Sequence, residues 1–181
     1  MFRRSMLPLA IALLSLNTAS AFAKEYPIGT PKKLNGMEIG AVYLQPIVME
    51  PDRIMRAAAE SDIHLEADIH ATAGNANGFA EGDWIPNLKI EYTLVKIDGG
   101  ERVVGSFMPM VANDGPHYGD NVKMMGMGKY KLSFTITSLG SVSTDNFGRH
   151  VDKETGVGPW AAPFNVEYEF TFAGTGKKGA Y

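Results

Sequence analysis

Asp62-Ile63-His64-Leu65-Glu66-Ala67-Asp68-Ile69-His70 decides the fold. Ile63, Leu65, Ala67 and Ile69 alternate with Asp62, His64, Glu66, Asp68 and His70, so one face of this segment is apolar and the other polar. Successive side chains of a strand leave opposite faces, and this alternation is that of a half-buried β-strand. Leu88, Ile90, Tyr92 and Leu94 repeat the period, as do Tyr130, Leu132, Phe134 and Ile136. The longest row is Phe164, Val166, Tyr168, Phe170 and Phe172, interleaved with Asn165, Glu167, Glu169 and Thr171.

Between these rows the chain uses turn residues. Asp98-Gly99-Gly100 predicts a hairpin between the strand ending near Lys96 and a strand over 102–112. Met37 to Met49 reads as one more strand, whereas the Pro-, Gly- and Lys-rich stretch from Lys24 to Gly36 has no period and reads as a lead-in arm. Only Pro51 to Ser61, with its run of three alanines, invites a helix, and at that length it would be one or two turns. Six or more short strands without helical crossovers predict an all-β fold, an antiparallel β-sandwich of immunoglobulin or cupredoxin type. The stretch from Gly174 to Tyr181 reads as a loose tail.

At the N-terminus, Arg3 and Arg4 precede the apolar run Leu7 to Leu16 and then Ala21-Phe22-Ala23. These are the three regions of a Sec signal peptide, and ten apolar residues are about half of what spans a bilayer. Residues 1–23 are therefore expected to be removed, leaving 24–181 as a single domain in the periplasm. Arg3 and Arg4 are the only charges in the leader, so the remaining 158 residues carry 15 basic and 20 acidic side chains, a net charge of about −5. That balance argues against nucleic acid as a partner. The 181 residues contain no cysteine, which excludes disulfides, thiolate zinc sites, cysteine nucleophiles and the blue-copper site.

The chemistry rests with histidine, carboxylate and methionine. His64 and Glu66, two residues apart on one strand face, can converge on a divalent ion, although a polar strand face carries such residues simply by being wet. Met108 and Met110 share a face of the next candidate strand. It runs into the turn Asn113-Asp114-Gly115-Pro116, with His117 just beyond. Thioether with imidazole is a combination that copper uses, but both methionines are equally readable as core filler, and periodicity does not choose between them. His150, in Phe147-Gly148-Arg149-His150-Val151-Asp152, could meet His117 if their loops share one end of the sandwich. Met124, Met125 and Met127 form a further methionine group, either a second soft site or an exposed edge or interface.

Asp62 to Ala71, Met108-Pro109-Met110 through His117-Tyr118-Gly119, and Gly148-Arg149-His150-Val151-Asp152 with Gly156-Val157-Gly158 resemble, in order and spacing, the periplasmic iron-transport protein family. The resemblance implies a copper-binding, cupredoxin-like homodimer that assists iron uptake through an inner-membrane FTR-type iron permease. It further implies a metal site at His64, Glu66, Met110, His117 and His150, with Met110 rather than Met108 as the sulfur ligand. Copper and iron are the implied metals, and Asp68 and His70 fall in supporting positions. The alternative is a metalloenzyme using the same residues to oxidise or reduce iron.

Overall fold

In the computed structural model, the described residues are 24–52, 54–138 and 147–175. The signal peptide inferred for 1–23 and most of the C-terminal tail lie outside them.

Among the described residues, ten strands form two antiparallel sheets. They are β1 (Tyr26–Pro27), β2 (Lys32–Leu34), β3 (Met37–Leu44), β4 (Ile63–Ala71), β5 (Leu88–Lys96), β6 (Arg102–Ser106), β7 (Met108–Ala112), β8 (Gly115–Val122), β9 (Gly128–Ser138) and β10 (Phe164–Phe172). One sheet runs β1-β3-β4-β8-β7, with β2 also on β3, and the other runs β10-β9-β5-β6. The antiparallel sandwich read from the alternation is the observed fold. Its inward rows are those expected: Ile63, Leu65, Ala67 and Ile69 from one sheet meet Ile90, Leu94, Leu132, Phe134 and Ile136 from the other, all fully buried. Tyr168 ties the layers together by donating its hydroxyl to the Ile39 carbonyl at 2.7 Å.

The differences from expectation are local and have local causes. The lead-in arm contributes the short strands β1 and β2, which gain their hydrogen bonds from β3 rather than from any pattern of their own. The alanine run between Pro51 and Ser61 yields only a 3-10 turn over Ala58–Glu60, as expected for a segment too short to sustain a helix. The segment 102–112 is two strands in two sheets: β6 pairs with β5, and β7 with β8. The switch falls at Phe107, whose ring is buried and whose N–H donates to the Ile90 carbonyl at 2.9 Å. Beyond the turn at Asn113 and Asp114 lies a full strand, β8, lodged between β4 and β7. Gly-Pro-His-Tyr-Gly-Asp-Asn has no alternation, so its strand character comes from its two neighbours.

Candidate metal centre

Register builds the site on the outward face of the larger sheet. Strands β4 and β8 pair His64 with Asn121 and Glu66 with Gly119, while β7 and β8 pair Met108 with Gly119 and Met110 with His117. Gly119 is thus ringed by His64, Glu66, His117, Met108 and Met110. It carries no side chain, and a Cβ placed there would lie 2.6 Å from His64 Nε2 and 2.9 Å from Cε1. The glycine leaves a cup in the sheet that the His64 ring fills.

His64, Glu66 and His117 are buried although they point away from the core. Residues 47–51 and 54–56, tied to Asn121 through Ile47 and Arg56, lie over this face, so the wet polar surface that alternation alone suggests is absent here. The three side chains offer donor atoms all within 4.8 Å of one another. Glu66 Oε1 lies 3.5 Å from His64 Nε2 and 3.3 Å from His117 Nε2. His64 Nε2 is fully buried and makes no hydrogen bond. A buried, unpaired nitrogen lone pair beside a carboxylate is costly unless something occupies the gap. A divalent or cuprous ion satisfies that requirement, and the donor set of two imidazoles, a carboxylate and neighbouring thioethers suits copper.

The electrostatics point the same way. Burial, against a hydrogen bond to Asn121 that raises it and with the nearby His117 lowering it, holds His64 down to about 4. The imidazole is therefore neutral, the form that ligates. Burial pushes Glu66 up to about 8, assisted by Asp68, Glu25 and Asp114. A positive ion in the cup would favour the ionised carboxylate, so loading would release its proton. A cavity of about 860 Å³ opens onto the donors and is lined by Met49, Met108, Met110, Glu25 and Asp114 among others.

Of the residues expected to ligate, the fold brings His64, Glu66 and His117 together and sets Met110 beside them, opposite His117 in register. Met108 lines the same cavity, so the ambiguity between the two methionines persists in three dimensions. His150 does not join them within one chain. Its loop is pinned to the far end of β4, where Gly158 N–H donates to the Ala76 carbonyl at 2.7 Å and Val157 N–H to the His150 carbonyl at 3.0 Å. At ~3.3 Å per residue, the strand from His64 to Ala71 alone spans about 23 Å. The turn before His117 opens towards that same end of the sandwich, yet His150 is not among the donors gathered with His64, Glu66 and His117. The His150 ring is exposed and firmly held: Thr155 Oγ1 lies 2.7 Å from its Nδ1 and donates to Asp152 Oδ2 at 2.8 Å. The Thr155 oxygen therefore accepts from Nδ1–H, leaving Nε2 free towards solvent.

His70 lies at the other end of β4 beside Glu38, outside the cluster, while Asp68 acts on it through charge. Met124 is buried in the core and Met127 is exposed. Four contributors carried no signal in the sequence: Gly119 as the floor, Asn121 behind His64, Glu25 from the arm and Asp114 from the turn. Each matters through its position beside another strand.

A family model described as Fe2+ transport protein matches residues 22–174. A UPF0423 protein of Brucella abortus is 61% identical over 176 residues, covering 97% of this chain and 94% of its own. The copper-reconstituted P19 protein from Campylobacter jejuni superposes with a TM-score of 0.82 at 55% identity, over 85% of this chain and 99% of that one. A copper-bound variant of FetP from uropathogenic Escherichia coli does so at 0.80 and 56%, over 83% and 99%.

Proposed function

The chain belongs to the Fe2+ transport protein family, and on that premise we propose that it is a periplasmic copper-binding protein assisting high-affinity iron uptake through an inner-membrane iron permease. The observation that carries the metal reading is the unpaired His64 Nε2 held over Gly119, within reach of Glu66 and His117. His64, Glu66, His117 and Met110 would hold copper, which supplies a soft, redox-capable ion close to a carboxylate-lined cavity. Iron is the cargo. Glu25, Asp68 and Asp114 make the approach to the cup acidic and so favour cations. Copper bound in the homologous P19 and FetP structures supports the choice of metal.

His150 completes the set from a second copy of the chain. Its exposure, its clamped ring and its absence from its own chain's donor cluster favour this reading over a one-chain site. The exposed Val48 and Val111 at the cavity rim give the homodimer an apolar contact.

A deletion strain should grow poorly when iron is scarce, only where the permease is present, and recover with added iron. Growth that changes with copper toxicity alone would replace iron transport by copper buffering. Steady-state turnover of ferrous or ferric iron by the pure protein would favour the metalloenzyme instead.

A further inference from the structure

We infer that Asn121 is a positioning residue that couples the segment covering the metal centre to the aim of His64, an inference that rests on reading His64 as a ligand. Asn121 sits on β8 directly opposite His64 and is 2% exposed. All of its amide valences are used. Nδ2 donates to the carbonyls of Ile47 at 2.8 Å and Arg56 at 2.9 Å. Oδ1 accepts the Ile47 N–H at 3.2 Å and faces His64 Nδ1 at 3.0 Å.

These partners fix the amide's orientation. Turned over, it would set its oxygen against two carbonyls and its NH2 against an N–H. Since Oδ1 can only accept, the proton of the neutral His64 ring resides on Nδ1. Nε2 is then the lone-pair nitrogen, and it is the atom aimed at Glu66 and left unpaired. The tautomer needed for ligation is set by one side chain behind the ring, the role outer partners commonly play at metal sites.

The same amide staples both ends of a covering segment. Ile47 and Arg56 bracket Val48, Met49, Glu50, Pro51 and Ile54, all of which line the cavity over the donors. If this segment lifts, Asn121 loses three of its four bonds, and its hold on His64 Nδ1 goes with them. Access to the centre and the aim of its ligand are thereby one equilibrium, in which a covered site has a correctly presented imidazole.

Two substitutions separate the two roles. Asn121→Asp keeps an oxygen for His64 Nδ1–H and Ile47 N–H but turns an acceptor towards the Ile47 and Arg56 carbonyls. Asn121→Ala removes both functions. In metal-free protein, ring 15N shifts report the His64 tautomer and amide hydrogen exchange reports residues 47–56; a stopped-flow chelator competition reports copper release. For Asn121→Asp we expect the Nδ1–H tautomer retained, exchange in 47–56 at least ~10-fold faster, and copper release accelerated to a similar degree. For Asn121→Ala we expect a mixed tautomer and copper affinity ~10–100-fold lower, as when outer-shell partners are removed elsewhere.

Unchanged segment exchange in Asn121→Asp, or an intact Nδ1–H tautomer in Asn121→Ala, would overturn the coupling. Should the alanine variant fail to fold, the nearly isosteric aspartate variant decides alone through its segment exchange. Both metal-free readouts stand apart from copper. A wild-type protein that binds no copper would sink the metal reading without touching them.

Discussion

Gly119→Ala adds one methyl group to the floor of the cup, and the structure predicts what it does. The new Cβ would lie 2.6 Å from His64 Nε2, 2.9 Å from Cε1 and 3.3 Å from the Leu65 carbonyl oxygen. Ordinary contact begins near 3.4 Å, so the ring tip must retreat by about 0.8 Å. The ring is fully buried and tied through Nδ1 to Asn121, which leaves it little room to do so. Gly119 lies in a strand without a left-handed backbone, and alanine there regains roughly 0.5–1 kcal/mol of chain entropy. Overpacking costs about 1–3 kcal/mol, so the net loss of stability should be modest, about 0–2.5 kcal/mol, and the variant should fold. Its metal site should not survive: a ligand displaced by about 0.8 Å is well outside the ±0.2 Å that metal–ligand distances tolerate. A loss of about 100-fold in cupric affinity, or about 2.7 kcal/mol, is expected. Competition titration against a chelator measures it, with denaturant melts run alongside. Gly40→Ala on β3 is the control, since a Cβ there meets Asp68 at an ordinary 3.6 Å. Wild-type affinity and an unchanged cupric EPR spectrum in Gly119→Ala would refute the assignment of the cup.

The pH dependence follows from Glu66. In the metal-free protein it is protonated below about 8, whereas the metal requires the carboxylate, so affinity should climb roughly tenfold per pH unit from 6.5 to 8 and then level off. His64, held down to about 4, stays neutral over that window and adds no slope, so the proton that competes with the metal there is the one on Glu66. Glu66→Gln should flatten the profile, and a Gln variant with the wild-type slope would assign the proton elsewhere. Met110→Leu and Met108→Leu each conserve volume and should cost the fold less than about 1.5 kcal/mol. Cuprous affinity should fall for Met110→Leu and hold for Met108→Leu, and equal affinities in both variants and the wild type would make both methionines packing residues. Thr155→Val removes the hydroxyl that orients the exposed His150. It should weaken copper in the dimer while leaving the His64–Glu66–His117 cluster intact, as read by nitrogen hyperfine couplings. An unaltered cupric spectrum would remove His150 from the site.

The strand rows of β4, β5, β9 and β10 were legible because each buries one face, and a period of two records that burial in a single segment. The same period put His64 and Glu66 on one side of β4, and the resemblance added His117 and Met110. Strand β8 was not legible. Its Gly, Pro and polar residues have no alternation, and its place between β4 and β7 is decided by pairing partners distant in the chain. The switch at Phe107 was hidden for a related reason: a continuous run of strand-forming residues does not encode which of two sheets each half joins.

Sequence alone therefore determined which residues face inward, which share a polar face, and the classes of chemistry that a chain without cysteine can perform. Tertiary structure decided that the polar face of β4 is covered, which turns a wet histidine and glutamate into a neutral imidazole and a protonated carboxyl. It also decided that Gly119 opens the cup, that Asn121 stands behind His64, and that His150 stands outside the cluster of its own chain. Alternation is a property of one strand, set by its own side chains. Covering and register are properties of pairs of segments, set by contacts between residues as far apart as Ile47 and Asn121.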